Sequence, residues 1–229
     1  MKDDYWKNFW NNSKIIKDIH PQKQVARTIN KVPIGSKEWQ KTLDYILTVI
    51  EIKPNDELLD LCAGNGLITI PFAKKCRHVL AVDISKGLLS NIDNSKNPNI
   101  LIQVHDIRTL KLNEDFFSKI IMYAGIQYFT EKETVLLFEK VHRWLTDNGL
   151  FFVGDIPDVD KLWNFYNTSE RKKAYFESVK FEKPIIGTWF KKEFMVRAAE
   201  YAGFSKSRVL VQQKYQINSR YRFDVLLRK

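Results

Sequence analysis

Cysteine, histidine and long apolar runs are scarce in this chain, and their scarcity excludes several classes of protein. Only two of the 229 residues are cysteine, Cys62 and Cys76. The sequence therefore offers no disulfide framework and no cysteine-based zinc motif, and both thiols are expected to be reduced. The four histidines are scattered along the chain without a metal-ligand spacing. We therefore expect no bound metal ion.

No apolar stretch reaches the roughly 20 residues that a membrane-spanning helix needs. The first six residues include a lysine and two aspartates, and they lack the apolar segment of a secretory signal. We therefore expect a cytoplasmic protein that makes no membrane contact. With 229 residues, of which 44% are hydrophobic and 28% charged, the chain fits one globular domain with embellishments.

The formal net charge of +10 raises the possibility of a nucleic-acid partner. The lysines are spread along the whole chain, however, and basic runs such as residues 171–173 and 191–192 are short. Such runs are typical of a solvated face. The even spread of the basic residues therefore disfavours nucleic-acid binding without excluding it. No pattern in the sequence indicates an oligomeric state.

A glycine-rich turn is the clearest functional signal. An apolar run from residue 57 ends in Asp60, a turn follows with Gly64 and Gly66, and a helical pattern begins after it. The glycines let the backbone approach a ligand closely, and the helix N-terminus directs N–H groups toward it. A dinucleotide fingerprint would have a third glycine where Thr69 stands, and a P-loop would end in Gly-Lys-Ser/Thr. The turn therefore predicts a nucleoside-bearing ligand of another kind.

Strand and helix patterns alternate from this turn onward, which predicts a parallel sheet built by right-handed crossovers. The further strands predicted for this sheet are residues 78–83, 100–104, 116–123 and 150–154. Two terminal strands, 208–213 and 221–227, are short-linked and are expected to form a hairpin. Residues 1–42 are predicted to form an N-terminal helical cap or lid on a domain of residues 43–229, with a helical insertion at about 158–190.

The pattern Asp60-x-Cys62-x-Gly64-x-Gly66 resembles the first motif of class I S-adenosylmethionine-dependent methyltransferases. Cys62 departs from that motif, because a glycine is common at its position, and we expect it to keep a negative φ. The resemblance implies an α/β fold. It would be a Rossmann-like, mostly parallel seven-stranded sheet with helices on both faces and an antiparallel final strand.

The resemblance also implies which residues bind S-adenosylmethionine. Asp60 and the turn backbone around Gly64 would hold the ammonium and carboxylate groups of its methionine part. Asp83 follows Asp60 by 83 − 60 = 23 residues, close to the spacing of about 20 expected for a ribose-binding carboxylate. Ile84 and Ile107 would sandwich the adenine. The other predicted cofactor-binding residues are Cys62, Ala63, Asn65, Gly66, Asp106, which would accept the adenine amino group, and Tyr123.

Methyl transfer to an oxygen requires both alignment of the nucleophile and removal of its proton. The candidate bases are Asp155, at the end of the predicted fifth strand, His20, and Tyr128. Gln127 and Tyr128 are also candidate substrate-binding residues. Residues 24–28, which include Arg27, resemble an N-terminal segment of some bacterial small-molecule methyltransferases. Arg27 would bind a substrate or the methionine carboxylate through its planar guanidinium group.

These observations favour a methyltransferase that acts on a small-molecule acceptor, with oxygen as the expected methyl-accepting atom. Two alternatives remain open, an RNA or protein methyltransferase and a non-catalytic subunit that binds S-adenosylmethionine. Against the RNA alternative, residues 123–126 lack the Asn/Asp-Pro-Pro-Tyr/Phe motif found after the fourth strand of many such enzymes.

Overall fold

The computed structural model describes residues 3–12, 19–29, 31–182 and 185–229. Residues 13–18 of the predicted N-terminal helix lie outside this described part. The helices are α1 (Asp3–Asn12), α2 (Pro21–Gln24), α3 (Ser36–Val49), α4 (Thr69–Ala73), α5 (Lys86–Leu89), α6 (Glu131–Trp144), α7 (Leu162–Phe165), α8 (Ser169–Lys180) and α9 (Lys192–Tyr201). The strands are β1 (Thr28–Ile29), β2 (Val32–Pro33), β3 (Glu57–Leu61), β4 (His78–Asp83), β5 (Ile100–Val104), β6 (Phe117–Tyr123), β7 (Leu145–Pro157), β8 (Lys206–Val211) and β9 (Arg222–Arg228).

Seven strands form one sheet in the order β5-β4-β3-β6-β7-β9-β8. The pairings from β5 to β7 are parallel, and β9 is antiparallel to both of its neighbours. The chain order runs outward from β3 to β5 and then resumes on the other side of β3 at β6. This confirms the predicted α/β fold with its antiparallel final strand.

The sheet separates two apolar cores because successive side chains of a strand point to opposite faces. In β6, Ile120 and Met122 pack on the side of α6 and α9, whereas Ile121 and Tyr123 pack on the side of α3, α4 and α5. With both faces covered, the central strands can be apolar throughout. Polar side chains that could contact a ligand are therefore expected at the ends of these strands.

The helix and strand boundaries were predicted well where local signals are strong. Thr130 and Glu133 form a capping box at the start of α6. Ser85 caps α5, accepting the Leu88 N–H through its hydroxyl. The fifth strand was predicted too short. α6 ends at Trp144, β7 starts at once, and it continues past residue 154 because β9 pairs with its distal end.

The expectation that Cys62 keeps a negative φ is wrong, because its φ is 60°. The chain turns out of β3 at this residue, and the next N–H, that of Ala63, donates to the carbonyl of Val82. Burial and the nearby Asp83 raise the pKa of the Cys62 thiol. A protonated thiol is a poor nucleophile, so Cys62 is a packing residue at a turn where glycine is more usual.

The turn requires a left-handed backbone conformation at Gly66. Its φ is 83°, and a Cβ there would come within 2.7 Å of Ile92 Cγ1. We expect Gly66→Ala to lower the free energy of unfolding by about 2–4 kcal/mol, through left-handed strain and overpacking. Urea unfolding measures this. Gly35→Ala is the control, since its Cβ would meet only the flexible carboxyl end of Glu38, and its cost should stay below about 1 kcal/mol. Equal losses in the two variants would contradict this account of the turn.

Candidate functional site

A cavity of about 440 Å³ opens at the carboxyl ends of β3, β4, β6 and β7. This is where ligands bind in open α/β sheets, beside the point where the strand order reverses. The predicted residues that line it are Arg27, Asp60, Cys62, Ala63, Gly64, Asn65, Asp83, Ile84, Asp106, Ile107, Tyr123, Gln127, Tyr128 and Asp155. Gly66 and His20 are the predicted site residues that lie outside this lining.

Asp83 joins the glycine turn to the end of β4. Its carboxylate accepts the Gly64 N–H at 2.9 Å and the Ser85 N–H at 2.8 Å. Burial raises the pKa of Asp83, and these backbone hydrogen bonds oppose that rise. A carboxylate has about four lone-pair sites, so Asp83 can still accept hydrogen bonds from a ligand in the cavity.

Asp60 is buried at the end of β3, with 2% of its surface exposed. Its Oδ2 accepts a hydrogen bond from the Thr69 hydroxyl at 2.6 Å. Burial is the main cause that raises its pKa to about 7, with Asp83 adding to the rise and Thr69 opposing it. A cationic group in the cavity would therefore be attracted to the Asp60 carboxylate.

Asp106 is engaged by the neighbouring Arg108. The carboxylate accepts the Arg108 backbone N–H at 3.0 Å and lies 2.8 Å from Nη2 of its guanidinium. Arg108 also reaches Glu133 at 3.4 Å. A ligand at Asp106 would thus share the carboxylate with Arg108. Ile84 and Ile107 line the cavity on the same side and provide the apolar surface predicted for a ring system.

Arg27 enters the cavity between two aromatic rings. Its guanidinium carbon lies 4.5 Å from the Tyr123 ring centroid and 5.0 Å from that of Trp39. The side chain is buried, and its Nη1 has no hydrogen-bond partner among the described residues. Because buried charges are normally paired, this nitrogen indicates that an acceptor group of a ligand belongs here.

His20 does not take part in the site. It precedes Pro21 at the start of α2, where its Nδ1 accepts the Gln22 N–H at 3.3 Å. The imidazole is exposed and acts as a helix cap. The position of His20 therefore gives no support to its predicted role as a base.

The cavity is covered by the N-terminal part of the chain. Trp6, Phe9 and Trp10 of α1 line it, and the Trp6 ring lies 4.7 Å from that of Tyr128. Ser85 donates from its hydroxyl to the Trp10 carbonyl at 3.1 Å. Burial raises the pKa of Tyr128 to about 12, so its phenol stays neutral at ordinary pH and is poorly suited to act as a base.

Asp155 lies in a buried polar network at the end of β7. Its carboxylate accepts hydrogen bonds from the Asn218 amide at 3.0 and 3.3 Å. Arg222 Nη1 lies 3.6 Å from Asp155 Oδ2, and it also donates to the Asp155 carbonyl and to Gln127 Oε1. Tyr221 completes the network by donating from its hydroxyl to Asn218 at 2.6 Å.

Sequence reasoning missed several residues that line the cavity, namely Trp39, Arg108, Asn218, Tyr221 and Arg222. Asn218, Tyr221 and Arg222 lie in or near the last strand and reach Asp155 across the antiparallel pairing of β7 with β9. No local motif marks such partners. The one available signal is that Arg222, a basic residue, starts the last strand, and that start lies beside Asp155.

The network predicts that Asp155 stabilises the fold. In Asp155→Asn, the buried Arg222 charge loses its carboxylate partner, and we expect the free energy of unfolding to fall by roughly 3 kcal/mol. Denaturant unfolding tests this, with Asp147→Asn on the exposed part of β7 as the matched control. Unchanged stability in Asp155→Asn would contradict the structural role and leave the carboxylate available for catalysis.

The raised pKa of Asp60 predicts that the free energy of unfolding falls as the pH rises. Because its folded pKa of about 7 exceeds the ordinary 3.8, folding favours the protonated form, and stability is lost as pH rises through this window. Asp60→Asn, which is neutral, should therefore be more stable than the wild type at pH 8, by about 1–3 kcal/mol, and close to it at pH 4. Urea unfolding at both values measures the difference. A variant that is less stable at pH 8 would refute the shift.

Sequence comparison relates part of the chain to known proteins. Residues 58–149 match a family model described as a methyltransferase domain. The ribosomal RNA small subunit methyltransferase A of Mycoplasmopsis synoviae is 28% identical over 102 residues, which cover 44% of this chain and 38% of that protein. The demethylmenaquinone methyltransferase of Streptomyces avermitilis is 24% identical over 91 residues, covering 40% of this chain and 39% of that protein. The matches thus span less than half of these relatives.

Structural comparison extends over the whole chain. The magnesium protoporphyrin IX methyltransferase of Synechocystis PCC 6803, solved with bound SAH, superposes with a TM-score of 0.66. The similarity covers 100% of this chain and 98% of that one, at 12% sequence identity. At this identity the superposition establishes the fold.

Proposed function

We propose that the chain, whose residues 58–149 match a methyltransferase-domain model, is a class I S-adenosylmethionine-dependent methyltransferase. It transfers the methyl group of S-adenosylmethionine to a small-molecule acceptor, with oxygen as the expected methyl-accepting atom. Among the described residues, no helix is both long and apolar enough to cross a bilayer. The methyl donor and the acceptor would meet in the cavity at the ends of the parallel strands.

The observation that carries this proposal is the match between the polar groups of the cavity and the parts of the cofactor. Asp83 offers acceptor sites for the ribose hydroxyls, and Asp60 offers a buried carboxylate for the methionine ammonium. Arg27 offers the methionine carboxylate a buried guanidinium nitrogen, Nη1, which has no hydrogen-bond partner within the described part of the chain. Three groups of the right charge thus face one cavity, and these residues fit the cofactor.

The adenine would lie between Ile84 and Ile107, beside Asp106. When bound, the cofactor supplies an electrophilic methyl group on its sulfonium. The contribution of this chain is to orient the two reactants for in-line displacement and to keep water out. Helix α1 lies over Tyr128 and would thereby keep water away from the two reactants.

A small acceptor is favoured by the enclosure of the site. The cavity falls within the range of about 300–1,000 Å³ that suits small ligands, and α1, residues 25–28 and residues 185–186 lie along its border. Gln127, Tyr128 and Arg222 also line the cavity and would contact the acceptor. The demethylmenaquinone and magnesium protoporphyrin methyltransferases among the similar proteins are named for small-molecule substrates.

An RNA acceptor is the second candidate, favoured by the ribosomal RNA methyltransferase similarity and the net charge of +10. That acceptor requires the covering helix α1 to move aside so that a base can enter. Binding of bulk RNA that weakens steeply with salt would favour this candidate. A non-catalytic subunit would bind S-adenosylmethionine and show no turnover across a broad panel of acceptors.

Calorimetry with S-adenosylmethionine tests the proposal directly. We expect the wild type to bind it and Asp83→Ala to bind at least about 100-fold more weakly, because charge-assisted hydrogen bonds to the ribose are lost. Asp93→Ala, a change of an exposed carboxylate in the loop before β5, is the matched control and should bind like the wild type. Undetectable binding to the wild type would refute the proposal.

A further inference from the structure

The side chain of Asn65 faces the N-terminal segment, although its position between Gly64 and Gly66 led us to predict contact with the cofactor. Its amide Nδ2 donates to the Pro21 carbonyl at 2.8 Å and to Gln24 Oε1 at 2.7 Å. The residue is 6% exposed. A nearly buried amide therefore ties the glycine turn directly to helix α2.

The contacts of α2 continue to Arg27. The Arg27 N–H donates to the Gln22 carbonyl at 2.7 Å, and the Gln22 side chain is itself buried. Val25 packs on the turn so closely that a Cβ on Gly64 would lie 3.3 Å from its Cγ1. Residues 21–27 are therefore seated on the glycine turn as a unit, and the last residue of that unit is the arginine of the cavity.

We infer that Asn65 is a positioning residue, which holds residues 21–27 on the glycine turn and thereby places the Arg27 guanidinium against the carboxylate of the cofactor. This rests on the proposed function. Arg27 Nη1 has no hydrogen-bond partner among the described residues, and a buried charge favours solvent. Contacts that seat the backbone of residues 21–27 therefore help to keep the guanidinium between the Tyr123 and Trp39 rings. The Asn65 amide supplies two hydrogen bonds for this purpose. The fraction of molecules with Arg27 in place would then set the apparent cofactor affinity.

Replacing Gln24 removes one of the two Asn65 hydrogen bonds without changing Asn65 itself. Gln24 accepts the Asn65 hydrogen bond and donates to Asn91 at 3.4 Å, and it lies outside the residues that line the cavity. Its removal therefore changes no direct contact with a ligand. Neither Gln24 nor Asn65 belongs to the two apolar cores, so their variants should fold.

The experiment compares two ligands by calorimetry. S-adenosylhomocysteine carries the amino-acid carboxylate, whereas 5′-methylthioadenosine lacks that whole group. We expect Gln24→Ala to weaken S-adenosylhomocysteine binding about tenfold and to leave 5′-methylthioadenosine binding unchanged, and Asn65→Ala to weaken S-adenosylhomocysteine binding at least as much. Lys23→Gln, on the exposed side of α2, is the matched control and should leave both affinities as in the wild type.

A double-mutant cycle with Arg27→Gln completes the test. If Asn65 acts through Arg27, then Gln24→Ala should cause no further loss of S-adenosylhomocysteine affinity once Arg27 is replaced. Equal losses for both ligands, or additive losses with Arg27→Gln, would overturn the inference while leaving the proposed function intact. A wild type that binds neither ligand would instead refute the proposed function itself.

Discussion

The hydrogen bond from the Gly64 N–H to Asp83, 2.9 Å long, fixes the turn after β3 against the end of β4. The same carboxylate accepts the Ser85 N–H at the start of α5, so one buried side chain sets the positions of two strand–helix connections. Burial of a carboxylate is costly unless it is hydrogen-bonded, and these two backbone groups satisfy it. Both connections border the cavity. The hydrogen bonds that satisfy the buried Asp83 carboxylate therefore also set the positions of residues around the cavity.

Backbone strain is concentrated at the same edge of the sheet. Cys62, Ala124 and Asp155 follow or end the adjacent strands β3, β6 and β7, and their φ values are 60°, 56° and 60°. A left-handed conformation costs about 1–2 kcal/mol for a residue with a Cβ, so three in one place are maintained by tertiary packing. Cys62 packs against Gly125, and the network around Arg222 holds Asp155. Strain of this kind is typical of ligand sites.

The sequence predicted the sheet, and most of the predicted site residues line the cavity, because their signals are local. The apolar runs, the glycine turn and the acids at strand ends each depend on a few neighbouring residues. Arg222 could not be predicted in the same way, since it is 67 positions from Asp155 and 95 from Gln127. Its role depends on the bulged antiparallel pairing of β7 with β9. His20 was predicted as a base from its residue type, whereas the proline after it makes it a helix cap.

The covering segment reconciles two opposing demands on the cavity, namely entry of ligands and exclusion of water. The described residues of this segment contact the Asn65 amide, the Ser85 hydroxyl and the ring of Tyr128. Among the described residues, both apolar cores begin after residue 33, so neither core is built from this segment. An element outside the apolar cores can open at a fraction of the free energy of global unfolding. In the enzyme that we propose, this segment would admit and release ligands while the strand ends remain folded.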